Sequence, residues 1–136
     1  MDAKNIAFAV IGVGVLAIVF FLIRGPANPS ISHEMGGIEG HVFLGPTCPV
    51  ERIPPDPQCA PRAYKTAITV SRLGDTAILK TIETDGDGKF IVELLSGSYN
   101  LTPQGGAVLP RCATHTVVVV AKAITQETFQ CDTGIR

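Results

Sequence analysis

The sequence lacks tryptophan, contains only two tyrosines, and has no run of charged residues of one sign. Its formal net charge is −1, and residues 36–136 hold nine Lys or Arg against ten Asp or Glu. Recognition of nucleic acid or of acidic lipid headgroups needs a clustered excess of positive charge. We therefore expect no nucleic-acid partner.

Spacings typical of metal sites are missing as well. Zinc sites use close pairs of Cys or His, but the four cysteines are eleven positions apart in the first pair and nineteen in the second. The segment 85–88, Asp-Gly-Asp-Gly, lacks the spacing and the terminal Glu of an EF-hand loop, and a tight turn explains both aspartates. We expect neither a metal ion nor another cofactor.

The sequence shows no catalytic pattern. Nucleophilic catalysis uses a Ser or Cys beside a His that a carboxylate orients, and His41 and His115 are isolated in the sequence. We expect the cysteines to be oxidised, which removes them as nucleophiles. We therefore name no catalytic residue, and an enzyme is the least favoured class of function.

One long apolar run is present. Residues 6–23 contain no charged or strongly polar side chain, and as a helix rising ~1.5 Å per residue they would span ~27 Å. The alternative is a cleaved signal peptide, whose apolar region is ordinarily ~7–15 residues long. We expect residues 1–23 to form an uncleaved transmembrane signal-anchor helix, and residues 24–37, rich in Pro, Gly and Ser, to form a linker.

All four cysteines follow the apolar run, at Cys48, Cys59, Cys112 and Cys131. An even number of cysteines in a small domain indicates disulfides and an oxidising compartment. Cys48 and Cys59 bracket a Pro-rich loop that cannot form regular structure, so we favour this pair together with Cys112–Cys131, and the two other connectivities stay open. The expected location is a single-pass membrane protein with an extracytoplasmic C-terminal domain.

Residues 38–136 show the period-two alternation of half-buried strands. Val117–Val120 is apolar on both faces, which predicts a central strand or one whose outer face is covered. The Asp-Gly repeat at 85–88 predicts a hairpin between the strands that flank it. The fold class is all-β, a seven-stranded sandwich, with strands predicted over 38–44, 65–71, 77–83, 90–94, 99–102, 116–120 and 125–131.

Two segments resemble a known family. Residues 84–90 read TDGDGKF and residues 94–101 read LLSGSYNL, which is similar to the signature of carboxypeptidase regulatory-like domains, the prealbumin-like (transthyretin-like) sandwiches. The opening at 37–49 and the closing DTGIR further resemble small bacterial secreted or membrane-anchored proteins of this group. The resemblance implies a Greek-key sandwich that serves as a stability, adhesion or carbohydrate-binding-like module.

The leading functional hypothesis is a non-enzymatic structural or binding module of the cell surface. Loops 45–63 and 103–114 would contact a protein or a carbohydrate, because loops on a rigid sandwich are the usual binding positions. The alternative is an accessory single-pass subunit of a larger membrane complex, in which a partner covers the face at Val117–Val120. The sequence leaves the oligomeric state open.

Overall fold

The structure, a computed structural model, describes residues 34–50 and 52–136. The chain divides into two compact units, Met1–Ser32 and His33–Arg136, and every described residue belongs to the second. The predicted anchor helix at 1–23 and most of the predicted linker lie outside the described residues. Within the described part, no helix is long and apolar enough to cross a membrane.

Strands make up most of the second unit, and its only described helix is a single 3-10 turn at Pro57–Cys59. Nine strands are present in the described residues: β1 Met35–Gly45, β2 Arg62–Ala63, β3 Ala67–Arg72, β4 Ile78–Glu83, β5 Lys89–Leu95, β6 Gly97–Pro103, β7 Arg111–Cys112, β8 His115–Val119 and β9 Ile124–Asp132.

The strands form two sheets, which confirms the all-β sandwich. In the five-stranded sheet, β1 pairs with β9 in parallel along one edge and with β5 and β2 in antiparallel along the other, and β7 extends the sheet beyond β9. The four-stranded sheet is antiparallel in the order β4-β3-β6-β8. The first and last strands of the domain therefore lie side by side.

The sequence predicts seven strands, whereas the described residues form nine. β2 and β7 have two residues each, which is too short for alternation to be visible in the sequence. They exist because the longer strands hold them: Phe43 lies opposite Ala63, and Cys112 lies opposite Cys131. β1 also begins at Met35, earlier than the predicted strand, since consecutive glycines at 36 and 37 carry no side chain to show the pattern.

The predicted hairpin at 85–88 is a connection between the two sheets. β4 pairs with β3, whereas β5 pairs with β1. The turn is still tight: the Gly88 N–H donates to the Asp85 carbonyl at 3.1 Å, and Gly88 has a φ of +71°. The chain crosses because Ile82 of β4 and Phe90 of β5 reach the same core from opposite sheets.

β8 is an edge strand of the four-stranded sheet, so the prediction of a central strand for Val117–Val120 was wrong. Val117 and Val119 are buried, whereas Val118 and Val120 are 57% and 56% exposed. The apolar run therefore has one face in the core and one face open to solvent in the described structure. β8 and β9 are also not hairpin partners, because they belong to different sheets and pack across the core.

The core lies between the sheets and is dominated by aliphatic side chains, with Phe90, Tyr99 and Phe129 as its aromatic residues. The Tyr99 hydroxyl donates to the Leu95 carbonyl at 2.8 Å, which satisfies its polar end. Thr84 is the buried polar residue of the described region; its Oγ1 accepts from the Thr66 N–H at 2.8 Å and donates to the Tyr64 carbonyl at 3.0 Å. The family-like segments therefore fill the core and shape the turn.

Candidate functional site

The domain has two distinct ends. β1 starts at Met35, one residue after the first described residue, and finishes at Gly45, about 35 Å away for eleven extended residues. We call the end near Met35 the proximal end and the end near Gly45 the loop end. Because β9 runs parallel to β1, with Gly45 opposite Asp132, the last strand also finishes at the loop end.

The first predicted contact loop, 45–63, leaves β1 at the loop end. Its cysteines are joined by the Cys48–Cys59 disulfide, with a Cα–Cα distance of 5.3 Å. Thr47 Oγ1 donates to the Cys59 carbonyl at 2.6 Å, and Asp56 Oδ1 accepts from the Gln58 N–H at 2.9 Å. The loop is thus fixed by covalent and hydrogen bonds although prolines prevent regular structure over most of it.

The second predicted contact loop, 103–114, is held by the Cys112–Cys131 disulfide, with a Cα–Cα distance of 4.2 Å. The bond joins β7 to β9, and Cys131 is completely buried. All four cysteines are therefore in disulfides, with the pairing favoured from the sequence.

The C-terminal tail, residues 133–136, connects the two loops. Thr133 donates its N–H to the Gly45 carbonyl at 3.2 Å and its hydroxyl to the Pro46 carbonyl. On the other side the Leu109 side chain packs onto Gly134, where an added Cβ would lie 2.5 Å from Leu109 Cδ1. The two loops and the tail form one surface, which the sequence did not indicate.

A charged clamp closes the tail. Arg136 donates through Nη1 to Asp132 Oδ1 at 3.1 Å and through Nη2 to Asp132 Oδ2 at 2.7 Å, and the Gly134 N–H donates to Asp132 Oδ1 at 2.8 Å. Arg136, followed by the Gly134 N–H, lowers the pKa of Asp132 from 3.8 to about 2. The carboxylate is therefore ionised at any physiological pH and already occupied by partners within the chain.

Several large apolar side chains are exposed at the loop end. Ile53 is fully exposed, and Val50, Val108 and Leu109 are also exposed. A groove of about 520 Å³ lies beside the first disulfide; three prolines line part of it, and Arg52 is its cationic residue. The Asp56 carboxylate in the groove accepts a hydrogen bond from the backbone through Oδ1.

His115 is isolated in the sequence, but in the structure it has a carboxylate partner. Its Nδ1 lies 2.7 Å from Glu127 Oε1, and its ring is 4.6 Å from the ring of Phe129. His115 on β8 and Glu127 on β9 both point between the sheets at the open side of the sandwich, and each is partly exposed. Within the described residues, the hydrogen bonds of His115 include no Ser, Thr or Cys, so the pair has no nucleophile to activate.

Metal ligands are not clustered in the described part of the chain: no group of three or more His, Cys, Asp or Glu could hold an ion there. The aspartate that opens the 85–88 turn serves the backbone instead. Asp85 Oδ1 accepts from the N–H groups of Asp87 and Lys89, each at 2.9 Å.

Comparison with known proteins gives a likeness of fold. No family model matches the chain, and no curated protein is significantly similar to it in sequence. Among solved structures, GBS52, the minor pilin in the Gram-positive pathogen Streptococcus agalactiae, superposes with a TM-score of 0.54 and 12% identity, covering 74% of this chain and 45% of the pilin. The Bacillus anthracis TIE protein superposes with a TM-score of 0.48 and 14% identity, covering 74% of this chain and 17% of the TIE protein. This likeness is too weak to carry an argument. The chain thus spans less than half of the pilin's length, and at this identity the likeness shows the fold alone.

Proposed function

We propose that this chain is a membrane-anchored, extracytoplasmic β-sandwich module of a bacterial surface, with a non-enzymatic structural or binding role. The observation that carries the proposal is the loop end: two loops and the tail, braced by two disulfides, form a fixed apolar surface. This surface lies about 35 Å along β1 from Met35, near the start of the described chain. A module tethered through its N-terminal side would present that surface outward.

The compartment is supported by the cysteines. Both disulfides belong to a domain of about a hundred residues, and such bonds persist in oxidising surroundings. The apolar run at 6–23 supports an anchor with the domain on the outer side of the membrane. The fold shared with a minor pilin is consistent with a surface location.

The side chains exposed at the loop end support a binding role. Its exposed side chains include several Pro, Val, Ile and Leu, with one arginine in the groove. Apolar loop surfaces on a rigid sandwich are suited to a protein or a carbohydrate partner. The carboxylates at this end, Asp56 and Asp132, both accept hydrogen bonds from groups within the chain.

Within this class we place the domain among the prealbumin-like, carboxypeptidase regulatory-like sandwiches with a Greek-key topology. Residues 84–90 form the turn that joins the two sheets, and Phe90, Leu94 and Tyr99 from the two family-like segments lie in the core. This assignment is supported by those residues alone, because no family model matches the chain.

The anchor and the orientation are tested together by trypsin treatment of intact cells that express the full chain. Arg24 is the basic residue that follows the apolar run, so cleavage there releases a fragment starting at residue 25. We expect this fragment in the medium and the residues up to 24 in the membrane fraction. A domain that trypsin reaches only after the cells are lysed would contradict the proposal.

The binding surface is tested with the variant Ile53→Asp at the loop end and the matched variant Ile78→Asp on β4, because both residues are exposed isoleucines. The full chain in vesicles is passed over immobilised cell-wall glycan and over immobilised surface protein from the same cells. We expect Ile53→Asp to lose retention on one of the two supports and Ile78→Asp to keep it. Equal retention of both variants would contradict binding through the loop end.

An accessory subunit of a larger membrane complex is the second candidate. Val118 on the edge strand β8 and Val120 just beyond it support this candidate, because they leave an apolar strip exposed. Extraction in mild detergent separates the candidates. A surface module elutes alone, whereas an accessory subunit co-purifies with a partner at fixed stoichiometry, and Val118→Asp would then abolish that association.

A further inference from the structure

A second apolar surface lies at the proximal end, away from the loops. The large apolar side chains there that are between 50% and 64% exposed include Met35, Leu73, Ile91, Val120 and Ile124. We call them the proximal patch. Single exposed apolar residues are ordinary on protein surfaces, but a group of this size at one end indicates contact with something apolar.

Hydrogen bonds hold the members of the patch together. The Lys122 N–H donates to the Met35 carbonyl at 2.8 Å, so the turn between β8 and β9 lies against the start of β1. Met35, Ile91 and Ile124 line a shallow groove of about 240 Å³ on the outer face of the five-stranded sheet. Its floor includes Gly37, which lies opposite Ile124 and has no side chain to fill the space.

The four-stranded sheet provides the other side of the proximal patch. The Leu73 N–H donates to the Ser98 carbonyl at 3.0 Å, and the Ser96 N–H donates to the Glu34 carbonyl at 2.9 Å. Leu73 therefore lies at the same end of the sandwich as the start of β1. The proximal patch spans both sheets where the chain enters the domain.

Charges around the proximal patch nearly cancel. Lys122 is paired with Glu34 at 2.8 Å, and Glu93 borders the groove. Arg72 and Asp75 flank Leu73 in the sequence with opposite signs. Attraction by an oppositely charged partner is therefore weak, and burial of apolar area is the available driving force.

The length of chain before the domain limits what the patch can reach. Ten residues, 24–33, separate the apolar run from Glu34, the first described residue. A flexible chain of this length has a root-mean-square span of about 17 Å and a maximum of about 35 Å. The loop end is about 35 Å farther along β1, so the proximal patch lies at the end of the domain that follows the apolar run in the chain.

We propose that the proximal patch rests on the lipid surface in which the apolar run is anchored. The inference depends on the anchoring in the proposed function and adds that the domain lies against the bilayer instead of moving freely on its linker. Weak affinity suffices, because tethering keeps the patch at an effective concentration of about millimolar or higher. The contact would direct the loop end away from the membrane.

The test uses the full chain in phosphatidylcholine vesicles, prepared with and without brominated acyl chains. Because the sequence has no tryptophan, Ile124→Trp gives the protein a single indole at the proximal patch, and Ile53→Trp places the same probe at the loop end. We expect brominated lipid to quench the emission of Ile124→Trp and to leave that of Ile53→Trp unchanged. Quenching of both variants, or of neither, overturns the proposal.

Flotation of the same vesicles on a density gradient separates the two ideas. A chain that does not float with the vesicles refutes the anchor, and with it the proposed function. A chain that floats while the emission of Ile124→Trp is not quenched refutes the proximal contact alone.

A second variant controls for the affinity of indole itself for membranes. Leu73→Asp, made in the Ile124→Trp background, places a charge at the proximal patch on a loop outside the core. We expect it to reduce the quenching, whereas Thr81→Asp on the exposed part of β4 leaves the quenching unchanged. Equal quenching in both double variants shows that the indole drives the contact and overturns the proposal.

Discussion

The hydroxyl of Thr84 is the single-residue feature on which the connection between the sheets depends most directly. It is buried, accepts from the Thr66 N–H and donates to the Tyr64 carbonyl. Replacing it with an apolar group of the same shape leaves both backbone groups without this partner in a buried place. The position calls for a β-branched residue with a hydroxyl, which explains the threonine at the start of the TDGDGKF segment.

We therefore expect Thr84→Val to lower the free energy of unfolding by about 1–3 kcal/mol. Thr81→Val, on the same strand but exposed, should change it by less than about 0.5 kcal/mol. Urea unfolding of the two variants measures the difference. Equal losses would show that the hydrogen bonds of Thr84 contribute nothing specific.

The clamp between Arg136 and Asp132 gives a prediction about pH. Because the pKa of Asp132 is lowered from 3.8 to about 2, its ionised form stabilises the tail above pH 4, and this contribution is lost as the pH falls towards 2. Carboxyl-carbon NMR titration should show Arg136→Ala raising the pKa of Asp132 towards 3.8. Arg111→Ala should raise it less, since Arg111 contributes least to the shift. Equal effects of the two variants would contradict the clamp.

At the residue scale, the sequence predicted the strands that follow from alternation. It missed the contacts that depend on which strands lie next to each other or across the core. The strands that period-two alternation predicts are present, and Ile38, Val42 and Phe90, which lie on them, are buried. The pair of His115 and Glu127 was missed, because the two residues face each other only when β8 and β9 lie in opposite sheets. Local patterns carry no information about which sheet a strand joins.

Among the elements, the two disulfides brace different kinds of structure. Cys48–Cys59 closes an irregular loop, whereas Cys112–Cys131 joins two strands and has a sulfur atom in the core. Loop-closure entropy alone gives about 3 kcal/mol for each. Their loss should nevertheless differ, because the exposed first loop gains freedom in the folded state as well when it is cut open.

We expect Cys112→Ser combined with Cys131→Ser to lower the melting temperature by roughly 10–20 °C, which corresponds to about 3 kcal/mol for a domain of this size. Cys48→Ser combined with Cys59→Ser should lower it by less. Thermal unfolding of the full chain in detergent, followed by circular dichroism, measures both. A larger loss for the first-loop variant would contradict the structural assignment of the two bonds.

The elements also show the limit of local signals. All seven predicted strands are present, because each is long enough for alternation to be visible. The hairpin at 85–88 was wrong because an Asp-Gly turn reverses the chain equally well within a sheet and between sheets. The parallel pairing of β1 with β9 was not predicted, since the two strands lie at opposite ends of the domain sequence.

For the whole molecule, that parallel pairing creates the candidate site. It brings the end of β1, with its first loop, next to the end of β9, with the tail and the second disulfide. The two contact loops were predicted separately from their Pro and Gly content. That they form one surface could not be predicted, because it depends on pairing between strands more than eighty residues apart.

The central claim, that this is an anchored, outward-facing module braced by disulfides, is tested most directly by the intact mass of the membrane-extracted protein. The mass is measured with and without reduction before alkylation, and peptide mapping then identifies the cross-linked cysteines. We predict that the N-terminal segment is retained and that Cys48–Cys59 and Cys112–Cys131 are both formed. Four free thiols in the extracted protein would contradict the compartment, the orientation and the bracing of the loop end together.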